Sequence, residues 1–205
     1  MIGSFSFAMG IIVLIIALLV SMTVHEFMHA FVGYRLGDMT AREEGRLSLN
    51  PLRHIDPFMT ILLPAITLAV FHVPILAAKP VPFNPSRIKY DEYGAAMLAA
   101  AGPFSNLILA VLGSLLAHFF VIGSFAYNVL ALFSSLNVAL FVFNLVPIPP
   151  LDGSRVLYAF SPEPVRRFLE TIEPYGFVLI FGLILLGGFG DVLVQINQMV
   201  LNLLP

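Results

Sequence analysis

The chain of 205 residues has no cysteine and no tryptophan, and Lys, Arg, Asp and Glu together make up only 11% of it. Without cysteine there is no disulfide framework, no thiolate metal site and no thiol nucleophile. A net charge of −2 offers no basic field, which argues against a nucleic-acid partner. The missing tryptophan discriminates nothing further. The shortage of charge excludes most. Soluble domains carry about 25% charged residues, and a water-soluble fold of this size could not cover its surface with so few. What is present instead is apolar: 59% of the residues are hydrophobic, 19 of them Phe. The chain therefore reads as an all-α membrane protein, a polytopic helix bundle embedded in the lipid bilayer.

The apolar stretches set the expected spans. Residues 1–24 hold no charge and suffice for a helix of about 20 residues. They lack the basic start and small-residue cleavage site of a signal peptide, so a retained helix is expected. Residues 57–78 are a second uncharged stretch. Residues 93–151 are a third after Glu92, interrupted by His118 and long enough for two helices, with a turn expected over 121–127 at Gly123 and Ser124. Residues 177–189 are apolar and slightly short, and residues 192–204 read as a short span or an interfacial helix. One membrane domain is expected over residues 1–205, with no soluble appendage.

All ten Lys and Arg fall between Arg35 and Arg167. Arg35, Arg42, Arg46 and Arg53 follow the first helix. Lys79, Arg87 and Lys89 precede the long apolar pair, and Arg155, Arg166 and Arg167 follow it. The positive-inside rule assigns all three groups to the cytoplasm and the N-terminus to the outside. The first two groups then share a side although residues 57–78 lie between them. A re-entrant hairpin broken by Pro64 and Pro74 satisfies that parity; a plain span with the second group outside is the rival.

The chemistry-bearing residues lie at the ends of two apolar segments. His25 and His29 are four apart and share one helical face, so two imidazoles can bind one metal ion. Glu26 stands beside the first, where a carboxylate can take a proton from water activated by that metal; this is the H-E-x-x-H arrangement of zinc hydrolases. An intramembrane ionisable group is expensive and functional by default. Catalytic zinc takes three protein ligands and an open position. His54, Asp56, His72, His118 and Asp191 are isolated candidates, better read as loop, packing or interfacial residues.

Asp152 closes the stretch Asn144-Leu145-Val146-Pro147-Ile148-Pro149-Pro150-Leu151-Asp152-Gly153. Three prolines in four positions cannot stay helical, so a helix beginning near Val129 must break after about Asn144. Asp152 is then either a carboxylate delivered to a site or the cap of a following helix. Two segments that both run from outside to inside bring His25, Glu26, His29 and Asp152 to the same depth, which favours the first.

These residues resemble the site-2 protease family of intramembrane metalloproteases (M50-type), above all the compact bacterial members without a PDZ domain. His25 to His29 matches the family's HExxH, and Asn144 to Gly153 its N-x-x-P-x-P-x-L-D-G motif. Ala101-Gly102-Pro103-Phe104-Ser105-Asn106 is similar to its third core helix, and Gly45 to Pro51 with His54 to Pro57 to the loop after the metal helix. The resemblance implies one zinc per chain on His25, His29 and Asp152, with Glu26 as general base. It implies substrate contact by Asn144 and a place near the site for Asn106, for which an interhelical hydrogen bond is the alternative. The implied activity is hydrolysis of transmembrane proteins or their remnant peptides in the cell membrane, near its cytoplasmic side. An unwound substrate would pair with chain around residues 144–150 or an edge within 45–52. A membrane metal-ion transporter or sensor is the competing class; it predicts several metal sites or a His-rich loop. A structural scaffold leaves the ionisable cluster without a purpose. Nothing in the sequence bears on oligomeric state.

Overall fold

The computed structural model describes residues 7–55, 81–185 and 187–205, and all regular structure among them is helical. Seven helices carry the fold: α1 (Phe7–Arg35), α2 (Asp91–Ala117), α3 (Phe125–Asn144), α4 (Asp152–Phe160), α5 (Glu163–Ile172), α6 (Gly176–Leu185) and α7 (Phe189–Asn202). Among the described residues, four helical segments are long and apolar enough to cross a membrane: Ala8–Arg35, Asp91–Ala117, Phe125–Asn144 and Glu163–Leu185. The re-entrant hairpin expected over residues 57–78 lies outside the described residues.

Helix α1 stops where Gly37 adopts φ 105°, a left-handed conformation that glycine reaches without a Cβ penalty. The Gly37 N–H donates to the Tyr34 carbonyl at 3.1 Å and the Asp38 N–H to the Gly33 carbonyl at 3.0 Å, the double bond of a Schellman ending. The next residue organises the loops. The buried Asp38 carboxylate accepts the Thr40 N–H at 3.0 Å, the Thr40 hydroxyl at 2.6 Å and the Asn84 N–H at 2.7 Å. The Lys89 N–H donates to the Leu36 carbonyl at 2.9 Å. The chain that leaves α1 and the chain that enters α2 are thus tied together, and α1 and α2 run antiparallel.

Helix α2 is the central wall, packed against α1, α3 and α4. Its buried face is built from small residues, Gly94, Ala96, Ala99, Gly102, Ala110 and Gly113 among them, which let apolar helices approach closely where lipid supplies no hydrophobic contrast. A Cβ on Gly113 would sit 2.5 Å from the Ser134 hydroxyl of α3. The turn between α2 and α3 falls within the expected residues 121–127, with Gly123 at φ 82°. Helix α3 begins at Phe125 rather than near Val129, because the Ser124 hydroxyl accepts the Tyr127 N–H at 3.3 Å and caps it.

The chain after α3 differs from the expected spans at two places. The apolar stretch at 177–189 supplies the end of a longer helical run, Glu163–Leu185. Helix α7 has 14 residues, about 21 Å of rise, and is too short to cross; Leu193, Val200, Leu201 and Leu204 pack on Ala110, Val138 and Val142 instead. Described members of the three basic groups make contacts that link the loops and helix ends around them. Arg166 pairs with Glu92 at 3.3 Å, Arg87 with Glu43 at 3.3 Å, and Arg155 lies 4.7 Å over the Phe83 ring.

Burial opposes ionisation of Asp38, but the hydrogen bonds from Thr40 and Asn84 outweigh it and hold its carboxyl below the usual carboxylate range. A depressed folded-state value stabilises the fold above the unfolded value of about 3.9 and is lost as pH falls through the folded one. Asp38→Ala is expected to destabilise the detergent-solubilised protein by about 2–3 kcal/mol, the scale of hydrogen bonds to a charged acceptor. Thermal unfolding at pH 7 checks this, and the gap between variant and wild type should shrink below about pH 4.

Candidate metal centre

Two stripes of residues face each other across the α1–α2 interface. On α1, Ser21, His25 and His29 recur every four residues; on α2, Leu98, Gly102 and Asn106 do the same in the opposite direction. The His29 Nδ1 pairs with the Leu98 carbonyl at 2.8 Å, and the His25 Nδ1 with the Asn106 Oδ1 at 2.6 Å. A carbonyl only accepts, so the His29 proton is on Nδ1 and its Nε2 carries a lone pair. Gly102 lies between these contacts. A Cβ there would sit 2.4 Å from the His29 Nε2 and 2.6 Å from the His25 Nε2. The absence of a side chain is what lets the two rings converge against α2.

The third group arrives from the proline break. After Asn144 the chain turns through 145–151, and α4 starts at Asp152 with Leu151, not Asp152, in the capping position and no side-chain cap. Gly153 permits this turn: a Cβ would lie 2.2 Å from the Leu145 carbonyl oxygen. The Asp152 carboxylate faces the imidazoles, its Oδ2 being 3.2 Å from the His25 Nε2 and 3.4 Å from the His29 Nε2. The two Nε2 atoms are 2.9 Å apart.

Metal–ligand bonds of about 2.0–2.2 Å in a tetrahedron give ligand–ligand edges of about 3.3–3.6 Å. The observed triangle is close to one face of that figure, and its donor set, two imidazoles and a carboxylate, suits zinc. The physical case is stronger than the fit of lengths. With each Nδ1 directed at an oxygen acceptor, both Nε2 atoms and the Asp152 carboxylate are turned to one point, where a bound cation can take all three as ligands. Glu26, 8% exposed, has an Oε2 that is buried and has no hydrogen-bond partner among the described residues.

Comparison with known proteins decides the family. A model of peptidase family M50 matches residues 121–187. YwhC of Bacillus subtilis is 41% identical over 177 residues, covering 81% of this chain and 77% of its own length. Rip2 of Mycolicibacterium smegmatis is 31% identical over 184 residues, covering 86% and 68%. The chain belongs to peptidase family M50. The names of both relatives class them with zinc metalloproteases. No solved structure gives a significant match. As a family M50 member with four span-capable helices, the chain is a multi-pass membrane peptide hydrolase, and zinc is the metal its donor set fits.

Within this M50 chain the other candidate residues lie elsewhere. His54 is buried in the loop after α1, its Nε2 donating to the Ser48 carbonyl at 2.7 Å. His118 donates to the Ser114 carbonyl at the far end of α2, and Asp191 is exposed in the first turn of α7. Asp56 and His72 lie outside the described residues. Residues 45–52 form no strand. Asn144 is half-buried, its Nδ2 donating to the Leu140 carbonyl at 2.9 Å. Asn106 has no exposed surface and lies behind His25. Both ends of its amide are engaged within the bundle, as the interhelical alternative describes.

Sequence reading missed the Gly102 contact, Ser21 and Asn137. The signals were present: Ser21 is one turn before His25, and Asn137 is an amide within an apolar helix, where polar side chains find interhelical partners. Gly102→Ala is expected to leave the helical content intact while displacing the imidazoles. Zinc per chain after dialysis should fall at least about tenfold, on the scale of metal-site perturbations; unchanged zinc would show that the close approach of α2 is not required.

Proposed function

We propose that this membrane peptidase cleaves transmembrane segments or their remnant peptides within the bilayer. In this reading His25, His29 and Asp152 hold zinc, Glu26 is the general base, and Asn144 helps hold the substrate strand. The observation that carries it is the Glu26 Oε2, buried and without a hydrogen-bond partner among the described residues, on the residue next to His25, which forms with His29 and Asp152 one group of metal-binding geometry. A carboxylate oxygen is left in that condition at a cost of several kcal/mol unless it awaits a partner.

Zinc, when bound, lowers the pKa of a water towards about 7 and polarises a carbonyl oxygen. Glu26 is the group that handles the proton. Its Oε2 takes it as the water oxygen bonds to the scissile carbonyl carbon, and returns it to the amide nitrogen as the C–N bond breaks. His25 and His29 keep their rings fixed through the Asn106 and Leu98 oxygens. Asn144 uses its amide nitrogen on its own helix, and in this reading its Oδ1 is the acceptor that meets the substrate strand. A substrate helix hides its amides in internal bonds, so it must open before such an acceptor can hold it.

The same reading puts the site near the cytoplasmic face, with the N-terminus outside. Its support is the basic residues clustered at the end of the bundle where α1 stops and α2 begins. A metal transporter would string several sites along a pathway; among the described residues one group of metal-binding geometry is found.

Glu26→Gln is expected to lower cleavage of a single-span substrate in detergent by about 10²–10⁴-fold, with zinc content and helicity retained. Wild-type turnover in that variant would sink the assignment. Asp152→Ala should lose most of its zinc, measured as metal per purified chain; full retention would remove Asp152 from the ligand set.

A further inference from the structure

Behind His25 lies a buried polar chain that the proposed hydrolysis does not use directly. Asn106, Asn137 and Ser21 have no exposed surface, and they come from α2, α3 and α1. The Asn137 Nδ2 donates to the Phe133 carbonyl at 2.9 Å and to the Ser21 hydroxyl at 2.9 Å. The Asn106 Nδ2 donates to the Asn137 Oδ1 at 2.9 Å and to the Ser21 carbonyl at 3.4 Å. The Asn106 Oδ1 meets the His25 Nδ1 at 2.6 Å.

Each orientation in this chain follows from the one before. The Phe133 carbonyl accepts and cannot donate, so the amide end of Asn137 must point to it. That leaves the Asn137 oxygen facing Asn106, which must answer with its own nitrogen. The Ser21 carbonyl makes the same demand of that nitrogen. The Asn106 oxygen is then turned to His25, and only a protonated Nδ1 can donate to it. The His25 lone pair is therefore on Nε2, beside the His29 Nε2 and Asp152. Rotate Asn106 by half a turn, and its N–H would favour the opposite tautomer, with a proton on the atom that must bind metal.

We infer that Asn137, assisted by Ser21, is a positioning residue that fixes the orientation of Asn106 and through it the proton position of His25. The His29 side needs no such relay, because the backbone carbonyl of Leu98 cannot flip. Stability alone gives little reason for the chain: interhelical hydrogen bonds contribute little in membrane proteins, and a fully apolar contact between the helices would serve as well.

The inference rests on the zinc reading of the site, and the test separates the two. Asn137→Leu removes the nearer of the two acceptors that orient Asn106, at 2.9 Å, and leaves the Ser21 carbonyl at 3.4 Å. Zinc affinity, measured by chelator competition, is expected to fall about 10–100-fold, the usual effect of losing an outer-shell partner. In the metal-free protein, the ¹⁵N spectrum of labelled histidine should show His25 protonated on Nδ1 in the wild type and shifted towards Nε2 in the variant. Asn106→Asp offers an oxygen acceptor whichever way it turns. Added to Asn137→Leu, it should return zinc affinity to near the wild-type value. A single variant with wild-type affinity and tautomer overturns the relay and leaves the zinc site standing. A double variant as weak as the single one overturns it too, since the loss would then come from repacking. A wild-type protein that takes up no zinc overturns the metal reading, while the tautomer signal still decides the relay.

Discussion

Three electron-rich atoms, the Nε2 of His25, the Nε2 of His29 and the Oδ2 of Asp152, lie 2.9 to 3.4 Å from one another among packed helices. Both rings present Nε2 because each Nδ1 is committed to an oxygen acceptor. Such a grouping is held together by a shared positive charge, a metal ion or a proton, and much of the architecture serves to assemble it. The four-residue spacing on α1 stacks the imidazoles. The missing side chain at Gly102 admits them to the wall of α2. The proline-rich interruption after α3 releases the chain so that Asp152 can turn back to them.

Helix α2 does the opposite of what a charged site needs from solvent: it supplies oxygen acceptors and excludes water. Its Leu98 carbonyl and Asn106 amide take the Nδ1 protons, and its small residues bring α1 and α3 close enough for those bonds to form. Glu26, next to His25 in the chain, has a buried Oε2 with no partner among the described residues. The loops are held from the same end of the molecule, where Asp38 ties the exit of α1 to the approach to α2.

Much of this is legible in the linear chain because membrane burial makes its rules severe. With so few charges, each ionisable residue in or near an apolar stretch must have a reason for being there. The pairing of His25 and His29 follows from helical periodicity, and the break after Asn144 from the geometry of proline. Charge bias along the chain is enough to expect the ends of α1 and α3 at one depth. The starting point of α3 was less legible, since the Ser124 cap competes with ordinary turn chemistry. The helical run through 163–172 was missed because its charged residues mask a segment continuous with an apolar end.

The amino-acid sequence by itself determined the membrane class, the two-histidine face with its adjacent Glu26, and the proline break that carries Asp152. Those depend on local properties: transfer of side chains from water, a period of 3.6 residues, and a ring that removes an N–H. The tertiary structure alone decided which α2 residues stand against which imidazole, that Gly102 is the point of closest approach, and that Asn106 lies behind His25 rather than in front of it. These are questions of register and rotation between helices far apart in the chain. They are settled by the hydrogen-bond demands of buried groups, with the Phe133, Ser21 and Leu98 carbonyls as the fixed acceptors from which the rest of the site takes its orientation.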